Sequence, residues 1–220
     1  MHRRHFASLV ALTALPLTRP WMALAQDATP ATESVTTAAT TLDRAAFHDQ
    51  MLRLWEDHIA WTRLYIVSFA ANLPDQELTA QRLLRNQTDI GDAIKPFYGD
   101  AAGTQLTTLL TGHIQGAVDL LTAAKADDQS AVEHASAAWY ANGDDIAGFL
   151  HQANPDAWPL TDLQTQMKMH LDLTLAEATA RLNGDFAADI AAYDQVQDHI
   201  LTMADLLGGG IVQQFPDRFA

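Results

Sequence analysis

From Leu42 to the end of the chain, apolar residues recur at three- and four-residue steps, and no stretch sustains the two-residue alternation of a strand. That period restricts the chain to an all-α fold: an antiparallel helical bundle with no sheet, on a ferritin-like or four-helix-bundle-like core. Breakers divide it into six helices. The first three run over residues 42–72, 75–95 and 103–125, separated by Leu73-Pro74-Asp75 and by Pro96 with Tyr98-Gly99. Ala126-Asp127-Asp128 caps a fourth over 129–153, and Asn154-Pro155 with Trp158-Pro159 leads to a fifth, N-capped by Thr161 and ending at Leu182. Asn183-Gly184-Asp185 opens the sixth, which Gly208-Gly209-Gly210 is expected to stop. The apolar tail through Phe215, Pro216 and Phe219 is expected to pack back on one end of the bundle.

Plotting each helix at 100° per residue places polar residues at the centres of apolar stripes. His58 lies among Phe47, Met51, Leu54, Tyr65 and Phe69, and His113 among Leu106, Leu109, Leu110 and Leu120. His199 lies among Ala192, Val196 and Met203, with Asp189 at the edge of its face. His170 is less central, near Leu163, Met167 and Glu177. The second and fourth helices place Asn86 and Asn142 at their centres instead. These two belong to a short repeat: Asn86-x-x-Asp89-Ile90-Gly91 matches Asn142-x-x-Asp145-Ile146-Ala147, as a duplicated two-helix unit would. All six centres fall at similar depth along their helices, within one layer near mid-bundle.

A lone histidine on an apolar face is more often a hydrogen-bonded core residue than a ligand. Four at one depth are harder to satisfy, because each imidazole needs a partner for both ring nitrogens. A metal ion takes one nitrogen and a neighbouring amide or carboxylate the other. On this reading His58, His113, His170 and His199 are metal ligands, with Asn86, Asp89, Asn142, Asp145, Glu177 and Asp189 as their partners or as further ligands. Imidazole-rich sites suit copper, iron or zinc, and Met203 adds a copper-compatible thioether. Two of the histidines could instead hold a non-covalent haem. The Glu-x-x-His motif of di-iron bundles is absent. The other reading is a non-catalytic structural or interaction module whose histidine and asparagine layer fixes helix register.

Composition narrows the partners. A net charge of −14 disfavours nucleic acid and anionic membranes, and the absence of cysteine excludes thiolate metal sites and disulfides. Gly-rich phosphate loops, Gly-x-Ser-x-Gly and His-Glu-x-x-His are all missing. Residues 1–25 read as a cleavable signal peptide: a basic start, an apolar centre and a small-x-small site at Ala23-Leu24-Ala25. Arg3-Arg4-His5-Phe6 is similar to a twin-arginine export motif, although the usual preceding Ser/Thr and following Lys are missing, so twin-arginine and general export both stand. The expectation is a periplasmic or extracellular protein with mature N-terminus Gln26, a flexible tether over residues 26–41 and a helical-bundle domain over 42–220. N-terminal sequencing of exported protein checks this, and a chain still starting at Met1 would contradict it.

Leu54-Trp55-Glu56-Asp57-His58-Ile59-Ala60-Trp61-Thr62-Arg63, Leu84-Arg85-Asn86-Gln87-x-Asp89-Ile90-Gly91 and Gln214-Phe215-Pro216-Asp217-Arg218-Phe219 resemble an uncharacterised family of exported bacterial helical-bundle proteins. The resemblance spans residues 42–219 and implies no established activity. Members sometimes carry the labels acetylglutamate kinase or glycosyltransferase. A kinase of that class needs an α/β fold and a Gly-rich phosphate site, and this chain has the pattern of neither.

Overall fold

The computed structural model describes residues 41–220, so the signal peptide and nearly all of the tether expected from the sequence lie outside the described residues. Five helical elements make up the domain: α1 (Arg44–Ala71), α2 (Gln76–Lys125), α3 (Gln129–Ala153), α4 (Leu160–Leu182) and α5 (Phe186–Gln214). A single 3-10 turn, Pro216–Arg218, follows, and no strand occurs among the described residues. No described helix is long and apolar enough to cross a membrane.

The count is one below the six expected, because the second and third expected helices form one element. Helical geometry continues past Pro96 and breaks only at Gly99, whose φ of 85° and ψ of 167° are open essentially to glycine alone. The chain doubles back there. The Thr107 hydroxyl lies 3.5 Å from the Gln87 carbonyl, whereas twenty residues of straight helix would span roughly 30 Å. Gly91 and Gly103 face each other across this hairpin, and a Cβ on either would come within 2.6 Å of the other's carbonyl oxygen. Gly91→Ala or Gly103→Ala should therefore cost about 1–3 kcal/mol by overpacking, while Gly148→Ala, with open space around its Cβ, should not destabilise. Urea midpoints would check this, and equal effects at all three sites would contradict it.

Aspartates start three of the helices. Asp43, Asp128 and Asp185 accept from the N–H three residues on, at 2.7, 3.0 and 3.1 Å. Thr161 is not a cap: α4 begins one residue earlier, at Leu160, led in by Pro159. Nor do Gly208-Gly209-Gly210 stop α5, which runs on to Gln214. Gly210 has no Cβ, so the Trp158 indole packs directly on its backbone, and Asn154 Nδ2 donates to its carbonyl at 2.9 Å. This packing offsets the low helix propensity of three glycines.

The helices close into a ring, each packed on its chain neighbours and α5 returning to α1. Leu42 and the tail seal one end, with Leu42 N–H on the Arg218 carbonyl at 2.8 Å and Phe219 against Phe47 and Phe97. Two apolar clusters fill the interior. The larger includes Trp55, Leu110, Ile146, Met167, Ile200 and Met203; the smaller includes Tyr65, Ile66, Leu83, Ile114 and Ala178. On α1, α2 and α4 the larger cluster holds Trp55, Leu110 and Met167, one turn before His58, His113 and His170, and the smaller cluster takes Tyr65, Ile114 and Ala178 beyond them.

Candidate metal centre

Three of the four expected histidine ligands meet. His58, His113 and His170 are buried, and one ring nitrogen from each lies within 4.8 Å of the other two. Their ring centroids form a nearly equilateral triangle of 6.3, 5.8 and 5.8 Å. A cavity of about 20 Å³ is lined by all three, together with Trp55, Leu110, Ile146, Met167, Met203 and others. That volume holds one ion or one water. It is far smaller than a porphyrin.

The triangle is the product of a repeat that runs three times. Asn86 Nδ2 donates to the Leu54 carbonyl, Asn142 Nδ2 to the Leu109 carbonyl and His199 Nε2 to the Gln166 carbonyl, at 2.9, 3.1 and 3.0 Å. The donors stand 32, 33 and 33 positions after their acceptors. Each acceptor lies one turn before a cavity histidine. The carbonyls of the histidines are also taken, by Thr62 Oγ1, Trp139 Nε1 and Thr174 Oγ1 at 2.7, 3.0 and 2.8 Å. Three helical hairpins, each with its histidine on the first helix, thus surround one point.

His199 therefore holds the place that the asparagines hold in the other two hairpins, and it is not a ligand of the cavity. It stacks on His170 at 6.3 Å and spends Nε2 on the Gln166 carbonyl. An asparagine has two heads. Asn142 donates to Leu109 with Nδ2, so its Oδ1 accepts the Nδ1 proton of His113 at 3.3 Å, leaving Nε2 of His113 with its lone pair. His199 offers no such second group, and His170 Nδ1 is a buried nitrogen with no hydrogen-bond partner.

Gln87 was not singled out from the sequence, because attention fell on the stripe centre at Asn86 beside it. It is fully buried and its Nε2 reaches the Leu83 carbonyl, Asn86 Oδ1 and His58 Nδ1, at 2.9, 3.2 and 3.3 Å. Two amide hydrogens cannot serve three acceptors, and Gln87 Oε1 itself has no partner. Trp139, also not anticipated, stacks on His113 at 5.4 Å.

Burial keeps these imidazoles neutral. It lowers His58 to about 4 against the opposing effect of Gln87 and Asn86. Burial and the neighbouring His58 lower His113 to about 3, against Asn142. Burial, then the surrounding histidines, places His170 well below the usual range, and burial lowers His199 against the Gln166 carbonyl. Neutral imidazole is the form that binds metals.

The sign of the linkage follows from those shifts. An unfolded histidine titrates near 6.5, so the stability from keeping His58 and His113 neutral is complete above that pH and is lost as pH falls toward 4 and 3. Glu177 runs the other way: burial raises it from 4.5 to about 7 despite Arg63, and its contribution is complete below 4.5 and lost as pH rises through 7. In metal-free protein, His113→Asn should flatten the fall in stability between pH 6.5 and 4.5 by up to about 1.4 kcal/mol per pH unit. Urea midpoints against pH would check this, and an unchanged slope would contradict a buried neutral His113.

The carboxylates expected around the metal are elsewhere. Asp89 borders a surface cleft with Asp43 and Asp92, and Asp145 is exposed. Three residues past a stripe centre is 60° off its axis, so both stand at the flank of the apolar face, Asp89 half-buried and Asp145 exposed. Glu177 and Asp189 are buried but belong to a separate ion-pair network. Arg63 Nη1 donates to Glu177 Oε1 and to Asp189 Oδ1, both at 2.7 Å, and Arg181 Nη1 donates to Asp189 Oδ2 at 3.2 Å. Burial alone would raise Asp189, and the two guanidiniums outweigh it, holding the carboxyl below its ordinary value.

Comparison with protein families, curated proteins and solved structures returned no match to this chain. The chemistry of the centre has to be read from its own geometry.

Proposed function

We propose that this protein is an exported metal-binding helical bundle that holds one transition-metal ion among His58, His113 and His170. The observation that carries the reading is the triad itself: three neutral imidazoles with ring nitrogens within 4.8 Å of one another, lining a space of about 20 Å³, on three hairpins that repeat one design. An ion at the centre of a triangle with sides of 4.8 Å lies at most about 2.8 Å from each nitrogen, and inward shifts of about 0.7 Å reach a metal–imidazole bond of about 2.0–2.1 Å.

A register-fixing polar layer would be expected to satisfy itself. This one leaves Nδ1 of His170, a residue of the cavity wall, without a protein partner, in an interior where an unmet polar group costs about 1–3 kcal/mol. That favours a ligand at the centre. Room for an ion and no more supports holding or carrying the metal over turnover of an organic substrate.

Elemental analysis of the full exported protein, purified without chelators, tests the reading. The expected result is one transition-metal ion per chain and a fall in melting temperature on chelation. Metal-replete protein with no bound ion and no response to chelator would overturn it in favour of the structural module.

A further inference from the structure

We infer that the centre selects a monovalent, soft ion, copper in its cuprous state, with a thioether completing the coordination. This rests on the three-histidine reading above and specifies its ligand. Every group lining the cavity is neutral: among the described residues no carboxylate borders it, and beyond the three imidazoles the wall is apolar apart from the sulfurs of Met167 and Met203 and the indole nitrogen of Trp55. The charge cost of burying an ion rises with the square of its charge, so a dication here would cost about four times as much as a monocation with no anion to offset it. The nearest buried acids, Glu177 and Asp189, are already neutralised by Arg63 and Arg181.

The donor set points the same way. Imidazole and thioether suit cuprous copper, whereas zinc and ferrous iron with three histidines usually add a carboxylate or water. Met167 stands one turn before His170 on α4, and Met203 stands one turn after His199 on α5, so the two methionines reach the cavity wall from adjacent helices. In the repeat, Met203 takes the place of Ile90 and Ile146, and Met167 that of Trp55 and Leu110. The third hairpin thus carries sulfur at both positions, where the other two carry aliphatic side chains or, at Trp55, an indole. It is also the hairpin whose histidine lacks an Nδ1 partner.

Anaerobic titration of the full chain with cuprous ion against a chromogenic cuprous chelator would test this, with silver(I) as a redox-inert probe and zinc(II) as the dication. One cuprous or silver ion should bind per chain, at least about 100-fold more tightly than zinc. Met203→Leu or Met167→Leu, each close in volume to the original, should weaken cuprous and silver binding at least about tenfold and leave zinc binding unchanged. Zinc binding as tight as cuprous binding, at a site lost in His113→Ala, would overturn the selectivity and leave the three-histidine centre standing. Full cuprous affinity in the Met167→Leu, Met203→Leu double variant would overturn the thioether. Binding of none of the three ions would overturn both this inference and the function on which it rests.

Discussion

Metal-loaded protein should lose its ion, and the stability that comes with it, when His58, His113 or His170 is replaced by alanine. A ligand bound only by the native state raises stability by about 2.7 kcal/mol at a hundredfold excess over its Kd. In a domain of this size that is roughly 5–10 °C in melting temperature. Chelation should remove the increment from the wild type and leave the three variants nearly unmoved. His199→Ala should behave differently, because His199 does not line the cavity: the variant keeps the ion and is destabilised by the uncapped Gln166 carbonyl. His134→Ala, on an exposed position of α3, should change neither quantity. If the triad variants were destabilised while chelation left the wild type unaltered, the histidines would be core residues and the metal reading would fall.

The contrast between His199 and the triad also marks where the sequence stops being legible. Periodicity places all four histidines on buried faces, since burial is what a helical stripe reports. It does not say what a buried nitrogen touches. His113 spends Nδ1 on Asn142 and keeps Nε2, whereas His199 spends Nε2 on a carbonyl, and the two look alike on a helical wheel. One signal was within reach: Asn86, Asn142 and His199 recur at nearly equal intervals, so His199 belongs with the asparagines. The Asn-x-x-Asp-Ile match revealed only two of the three units, because His199-Ile200-Leu201-Thr202-Met203 retains the spacing and none of the residue types.

Backbone breaks were misread for a related reason. Gly99 turns the chain, as glycine at a special φ must, yet Gly208, Gly209 and Gly210 stay helical because tertiary contacts compensate for propensity. Propensity registers the glycines. The positions of Met51 on Gly208 and of Trp158 on Gly210 show why α5 tolerates those two.

Arg63→Met should destabilise the protein by about 3–5 kcal/mol without altering its affinity for metal, the cost of leaving buried carboxylates without their cation. Arg63 Nη1 is the one donor shared by Glu177 and Asp189, and its guanidinium stacks on Tyr193 at 4.7 Å. Arg181 still serves Asp189 in the variant, so the stranded charge is that of Glu177, which is 1% exposed. Its carboxyl, already raised to about 7 by burial, would rise further, and a raised carboxyl gives stability below its unfolded pKa that is lost as pH rises. The defect should therefore be milder at pH 5 than at pH 8, and adding Glu177→Gln should recover most of the loss at pH 8, since an uncharged amide removes the stranded charge. Urea unfolding and metal titration of the single and double variants give both quantities. A fall in metal affinity on Arg63→Met alone would reassign Glu177 and Asp189 to the metal centre. Unchanged affinity with the expected loss of stability would confirm two independent polar layers, one that holds charge in balance and one that is neutral until an ion enters it.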